Sequence, residues 1–177
     1  MSCEPRFEPR ELALGGLFGA AGLALPFLFH LVQLGSVFLP MYLPLVALAF
    51  FVRPGVAAAT GLAVTLLSAL LTGMPPWFPP VAPAMALELS AMAAMASWAF
   101  GRWPRSVLAV LVPVLVLGRV FQFGCGWLFG LFLDLPPEFL SVASLIRAFP
   151  GLILMLVVIP AVVRVARRHH GAMEEIQ

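Results

Sequence analysis

The sequence predicts an all-α membrane protein with six transmembrane helices, and three observations support that prediction. Hydrophobic residues make up 62% of the 177 residues and charged residues only 10%, against about 45–50% and about 25% in soluble domains. The mean hydropathy is +1.06. Apolar runs of roughly 17 to 25 residues, the length of a helical span, are separated by clusters of charge, proline and glycine. We therefore expect residues 1–177 to form one integral domain in a lipid bilayer, with no nucleic-acid partner.

The N-terminal half contains three predicted spans, at residues 12–31, 36–52 and 55–72. The first contains Pro26, and because proline removes a helical hydrogen bond we expect a kink there. The second is short and is interrupted by Pro40 and Pro44. The third is uninterrupted and ends before GMPPWFPP, a turn rich in proline.

The C-terminal half contains the other three predicted spans, at residues 81–100, 107–133 and 139–163. The segment GRWPR separates the fourth from the fifth. The fifth is long, and the glycines of GCGWLFG predict a break near its end, around Gly124 and Gly126. The segment DLPPE precedes the sixth, which contains Pro150. Six helices would then alternate across the bilayer.

Arginine gives the orientation, since the chain contains no lysine. If six helices alternate, eight arginines fall on one side: Arg6, Arg10, Arg53, Arg102, Arg105, Arg164, Arg167 and Arg168. The opposite loops contain Asp134 and Glu138 and no basic residue. Positively charged loops face the cytoplasm. We therefore expect a multi-pass protein of the cell membrane with both termini in the cytoplasm.

Three charged residues lie inside predicted spans: Glu88, Arg119 and Arg147. Because a charge in hydrocarbon is costly, such residues face a bundle interior or a cavity. At 1.5 Å per residue, Glu88 lies about 10 Å and Arg147 about 12 Å from the outer ends of their helices. Arg119 lies at a similar depth if the glycines end the regular part of the fifth helix. We expect the three to meet in the outer half of the bundle.

Helical spacing extends this polar group towards a small-molecule pocket. Gln122 shares a helix face with Arg119, and methionines recur on the face of Glu88. Two arginines would face one glutamate, so a ligand carboxylate or phosphate would suit the surplus guanidinium. Polar and aromatic side chains from the outer loops complete the predicted substrate-binding set, which is Glu88, Arg119, Gln122, Arg147, His30, Gln33, Tyr42 and Trp77.

Each of these features also has a purely structural explanation. The intramembrane charges could form an ion pair that only fixes helix packing. Aromatic and amphipathic rings near the outer ends of helices are typical of the interfacial belt, which would account for His30, Tyr42 and Trp77. The sequence leaves both alternatives open.

Small residues recur every fourth position of the first helix. They form two strips, Gly15 with Gly19, and Gly16 with Ala20 and Ala24. Such a strip lets another helix approach closely. The third helix has a weaker strip of Ala57, Gly61 and Thr65. These strips either pack inside the bundle or dock a partner subunit.

Motifs for catalysis are absent from the sequence. It contains no GxSxG, no HExxH, no acidic pair in a span and no GxxxxGK[ST] phosphate loop. We therefore expect the protein not to be an enzyme and to need no cofactor or metal. The main alternative to a ligand-binding function is a structural or scaffold membrane protein, and an intramembrane enzyme is the less favoured one.

The chain resembles the substrate-binding S components of energy-coupling factor (ECF) transporters. The resemblance rests on six short spans, on the first helix LALGGLFGAAGLALPFLFHL, on FLPMYLPL in the second segment and on LLSALLTGMPP before the fourth helix. It implies a subunit of an ABC importer that binds a vitamin or related micronutrient from outside. Pantothenate, a folate, biotin or a pterin-like precursor would all suit the predicted pocket.

The resemblance also implies partners. An S component docks through its first helix on a transmembrane scaffold subunit that is joined to two cytosolic ATPase subunits. The family's docking pattern of two alanines four residues apart would match Ala20 and Ala24, and Gly16 extends it. Energy would come from the partner ATPases, and the bundle would reorient in the membrane to release its ligand inward.

Overall fold

The computed structural model describes residues 8–31, 40–78, 80–103, 106–133 and 142–174. The regular structure of these residues is entirely helical, which confirms the predicted all-α class. The helices are α1 (Pro9–Leu31), α2 (Tyr42–Leu48), α3 (Pro54–Thr72), α4 (Val81–Arg102), α5 (Val107–Leu133) and α6 (Val142–Glu174). All except α2 contain an apolar stretch long enough to cross a membrane. These five helices are consistent with a multi-pass membrane protein.

The second predicted span differs from the expected transmembrane helix. In its described part only Tyr42–Leu48 is α-helical, and seven residues rise about 10 Å where a bilayer core needs about 30 Å. α2 lies at the centre of the bundle, with nearly every residue from Met41 to Phe50 buried. Protein thus surrounds its irregular C-terminal end, where Phe50 and Phe51 donate backbone hydrogen bonds to the helix carbonyls. Irregular backbone at membrane depth is tolerated only in such a setting.

The expected break in the fifth span is wrong, because α5 continues without interruption to Leu133. Every backbone group in hydrocarbon must be hydrogen-bonded, and the helix satisfies these groups within the segment. That requirement outweighs the small intrinsic cost of Gly124 and Gly126 in a helix. The last helix is also longer than expected, since α6 extends beyond residue 163 to Glu174.

Small residues bring α1, α3 and α4 into close contact. A Cβ atom on Gly61 of α3 would lie 3.2 Å from the carbonyl oxygen of Leu89 in α4. Cβ atoms on Gly15 and Gly19 of α1 would each lie 3.1 Å from a side-chain atom of α3. The glycine strip of α1 and the small residues of α3 therefore pack inside the bundle.

One end of the bundle is closed by contacts among α1, α3 and α4. Glu11 accepts hydrogen bonds from the backbone N–H (2.8 Å) and Nε (2.9 Å) of Arg53, and its Oε2 lies 2.7 Å from Nη2. The hydrogen bond to Glu11 raises the pKa of Arg53. Ser97 donates to the carbonyl of Val52, and Phe100 packs edge-on against Phe50. These contacts bring the start of α1, the start of α3 and the end of α4 together.

Candidate functional site

The centre of the candidate site is a hydrogen bond between α2 and α4. The Tyr42 hydroxyl donates to Glu88 Oε2 over 2.8 Å. Tyr42 is 1% exposed and Glu88 is 2% exposed. Tyr42 is therefore an interior residue, and the alternative that it belongs to an interfacial belt is wrong.

Arg119 of α5 is the third member of the group. Its guanidinium carbon lies 5.6 Å from the centroid of the Tyr42 ring, in the range of a cation–π contact. Its Nη2 atom lies 4.0 Å from Glu88 Oε1, which is close enough for charge attraction and too far for a hydrogen bond. The predicted meeting of Glu88 and Arg119 is present in the structure, although the depth argument used for Arg119 relied on a helix break that does not exist.

Gln122 extends the group towards the surface. Arg119 donates from Nη1 to Gln122 Oε1, one turn further along α5. Arg119 is buried, whereas Gln122 is exposed. A continuous set of polar contacts therefore leads from the buried carboxylate to an exposed amide. Tyr42, Glu88, Arg119 and Gln122 are called the polar cluster below.

Three charged-group atoms of the polar cluster have no hydrogen-bond partner among the described residues. They are Glu88 Oε1, Arg119 Nε and Arg119 Nη2. Each is buried, and a buried polar group without a partner is costly and rare. Among the described residues, the cluster therefore has one acceptor atom and two donor atoms with hydrogen-bonding capacity to spare.

The walls next to the polar cluster are tightly packed. Met92 lies one turn after Glu88 on α4 and fits against Gly118 of α5, where any Cβ atom would collide with the methionine sulfur. Thr65 of α3 is fully buried, and its hydroxyl donates to the carbonyl of Gly61 and approaches the Met41 sulfur. The sequence argument had not identified Gly118, although a glycine beside an intramembrane arginine was a usable signal.

The other predicted substrate-binding residues are only partly described. Arg147 belongs to α6 and His30 to α1, and both side chains lie outside the described set, as does Gln33 entirely. Trp77 is 49% exposed in the turn between α3 and α4. No hydrogen bond among the described residues joins Trp77 to the polar cluster. The described residues also contain no group of three or more metal-ligating side chains.

The two strips of α1 differ in their surroundings. Gly15 and Gly19 are buried against α3, while Gly16, Ala20 and Ala24 are exposed. A Cβ atom on Gly16 would meet nothing within 4 Å. The exposed strip of Gly16, Ala20 and Ala24, called the small-residue face below, is therefore not covered by the part of the chain that the structure describes.

Comparison of the chain with family models, with curated proteins and with solved structures finds no match. The features that bear on function are therefore the polar cluster, the small-residue face and the sequence itself.

Proposed function

We propose that the protein is the membrane substrate-binding subunit of an ECF-type ABC importer. In this function it captures a vitamin or related micronutrient from outside and delivers it through an ATPase-driven partner module. The observation that supports it most is the polar cluster, in which a buried arginine and a buried glutamate have three polar atoms without hydrogen-bond partners among the described residues. A cluster that only fixed packing would be expected to satisfy its own atoms.

The small-residue face supports the second half of the proposal. A partner helix can approach α1 closely only where side chains are small and not already covered, and Gly16, Ala20 and Ala24 meet both conditions. Packing of α1 on its own bundle uses the other strip. The transmembrane scaffold subunit of an importer would contact the small-residue face, and the ATPases would be bound to that subunit.

The contacts at the closed end support six membrane crossings with both termini in the cytoplasm. α1 leads away from Glu11 over 23 residues, yet Arg53 contacts Glu11 again. We infer that the chain between α1 and α3 returns to the end of the bundle where α1 begins, with α2 inside the bundle as part of a second crossing. The arginines Arg10, Arg53 and Arg102 then share the cytoplasmic side, as the positive-inside rule requires.

A topology experiment tests this arrangement. In a background with Cys3→Ser and Cys125→Ser, the pair Glu11→Cys and Arg53→Cys should be joined by a short thiol cross-linker. A membrane-impermeant thiol reagent should label both positions only from the cytoplasmic side. Labelling of the two positions from opposite sides would refute six crossings.

Ligand binding is tested on the detergent-purified full chain. Mass spectrometry should detect a co-purifying small molecule, and at least one of a panel of vitamins should raise the melting temperature. A ligand at a hundred times its Kd stabilises the folded state by about 2.7 kcal/mol, which such a scan detects. Because Tyr42 is the only tyrosine, tyrosine labelled with ¹³C gives one NMR signal, which should shift when a ligand enters the polar cluster.

Matched variants connect binding to the polar cluster. Glu88→Gln and Arg119→Gln should strongly weaken ligand binding while the protein remains folded. Ser97→Ala is the control, because Ser97 is also buried in α4 but bonds to Val52 at the closed end. Wild-type affinity in both cluster variants would refute the pocket.

Docking is tested by adding bulk to the small-residue face. Ala20→Trp should spare ligand binding and reduce co-purification with the scaffold subunit and uptake in cells. Ala161→Trp on the exposed side of α6 is the control. Unchanged uptake in Ala20→Trp would mean that this face contacts only lipid.

A structural protein without a ligand is the second candidate, and one observation favours it. Tyr42 and Gln122 already satisfy one atom each of Glu88 and Arg119. A clean, ligand-free protein that no vitamin stabilises would support this candidate.

A further inference from the structure

Arg119 has one buried edge whose two nitrogen atoms lack hydrogen-bond partners among the described residues. Nη1 is occupied by Gln122, and the two atoms without partners are Nε and Nη2. These atoms donate along one edge of the planar guanidinium, and their N–H bonds are roughly parallel. The two oxygens of a carboxylate match this edge in a bidentate pair. The arrangement of these two donor atoms therefore matches a carboxylate, which would supply the hydrogen bonds that they lack.

Glu88 restricts what can occupy that edge. Its unsatisfied Oε1 lies 4.0 Å from Nη2, so a ligand oxygen bound to Nη2 would lie close to a second negative oxygen. In a buried site that repulsion is costly, and it is relieved when the ligand itself donates a hydrogen bond to Oε1. The donor must be close to the ligand's acidic group because the two protein atoms are only 4.0 Å apart.

Charge favours a monoanion over a phosphate at this position. Arg119 supplies one positive charge and Glu88 one negative charge among the described members of the cluster. A doubly charged phosphate would add two negative charges to this pair in a site with little water, which is costly. A carboxylate adds only one negative charge, and an amino group on the same ligand can balance it.

We propose that the polar cluster recognises a carboxylic acid with a hydrogen-bond donor on carbon 2, that is, a 2-hydroxy or 2-amino acid group within the ligand. The carboxylate binds the Nε–Nη2 edge of Arg119, and the hydroxyl or amino group donates to Glu88 Oε1. The hydroxyl of Tyr42 donates a hydrogen bond to Glu88 Oε2 and so orients the Glu88 carboxylate, leaving Oε1 to accept from the ligand. The proposal rests on the proposed function and names the chemical class of its ligand.

A matched series of small acids tests the proposal on the detergent-purified full chain. Mandelate and phenylglycine have a hydroxyl or amino group on carbon 2, phenylacetate has neither, and mandelamide lacks the negative charge. Thermal shift and the ¹³C signal of Tyr42 give the apparent Kd of each. We expect mandelate and phenylglycine to bind at least about tenfold more tightly than phenylacetate and mandelamide, because each comparison removes a hydrogen bond to a charged group.

Two variants assign the contacts. Glu88→Met should remove the preference for the carbon-2 donor, because a thioether of similar length is only a weak hydrogen-bond acceptor. Arg119→Lys should lose most of the preference for the acid over the amide. The reason is that an ammonium group lacks the two parallel N–H groups of the guanidinium edge. Ser97→Ala at the closed end is the control and should keep both preferences.

Each outcome is decisive. Equal binding of phenylacetate and mandelate refutes the donor contact, and equal binding of mandelamide and mandelate refutes the carboxylate site. If no member of the series binds but a vitamin of the panel stabilises the protein, the proposed function holds and this ligand class is wrong. If neither the series nor the panel binds, both proposals fail.

Discussion

Removing the Tyr42 hydroxyl is the most direct test of how the polar cluster is held together. Tyr42→Phe keeps the ring, so the packing of α2 and the contact with the Arg119 guanidinium remain. Only the hydrogen bond to Glu88 Oε2 is lost. The substitution therefore measures a single interaction rather than the repacking of a cavity.

The structure gives the size of the effect. Glu88 is 2% exposed, and its other oxygen is 4.0 Å from Arg119, so no described donor replaces the lost one. A buried acceptor without a partner costs about 1–3 kcal/mol, and more when it is charged. Hydrogen bonds measured inside membrane bundles are weaker, with a maximum of about 1.7 kcal/mol. We expect the free energy of unfolding to fall by about 1–2 kcal/mol.

The assay is reversible unfolding in mixed detergent micelles, with Thr65→Val as the matched control. Thr65 is fully buried and donates 2.8 Å to the carbonyl of Gly61 in its own helix. Its loss leaves no charged group unpaired, so we expect a cost close to the average for hydrogen bonds in membrane bundles, about 0.6 kcal/mol. If Tyr42→Phe is no more destabilising than Thr65→Val, Glu88 does not depend on the tyrosine and the described arrangement of the cluster is refuted.

Two further predictions concern glycines that let helices approach. Gly61→Ala should destabilise the bundle by about 1–3 kcal/mol, because the new Cβ would lie 3.2 Å from the Leu89 carbonyl oxygen. Gly124→Ala is the control: a Cβ atom there would meet nothing within 4 Å, so this variant should be neutral or stabilising in the same unfolding assay. Gly118→Ala should displace Met92 and destabilise the protein. In a Met92→Ala background the collision is gone, so the same substitution should be much less destabilising. Equal effects in both backgrounds would contradict the described α4–α5 packing.

The sequence predicted the five long helices well, because hydropathy and bilayer thickness limit where they begin and end. α2 could not be predicted in the same way. Pro40 and Pro44 indicated an interruption, but only the three-dimensional packing shows that so short a helix lies inside the bundle. The break at Gly124 was wrong because glycine propensities from water do not apply in hydrocarbon, where the helix is the only local way to satisfy the backbone.

The site was predictable to a similar degree. An intramembrane glutamate and an intramembrane arginine can be found from hydropathy alone, and their need for a partner predicts that they meet. The hydrogen bond from Tyr42 could not be predicted, since the tyrosine lies 46 positions from Glu88. No helical periodicity relates positions that far apart. The division of α1 into a buried and an exposed strip was equally out of reach, because both strips have the same spacing.

The position of α2 joins the polar cluster to the small-residue face. Tyr42 and Leu45 are one turn apart on α2, and a Cβ atom on Gly22 of α1 would lie 3.5 Å from the Leu45 side chain. A shift of Tyr42 towards α1 would press α2 on the buried side of α1, whose exposed side contains Ala20 and Ala24. Contact shows only that these elements are adjacent, because coupling between two sites is a free energy that must be measured. If the polar cluster binds a ligand and the small-residue face docks a partner, as we propose, α2 is the element that connects the two sites.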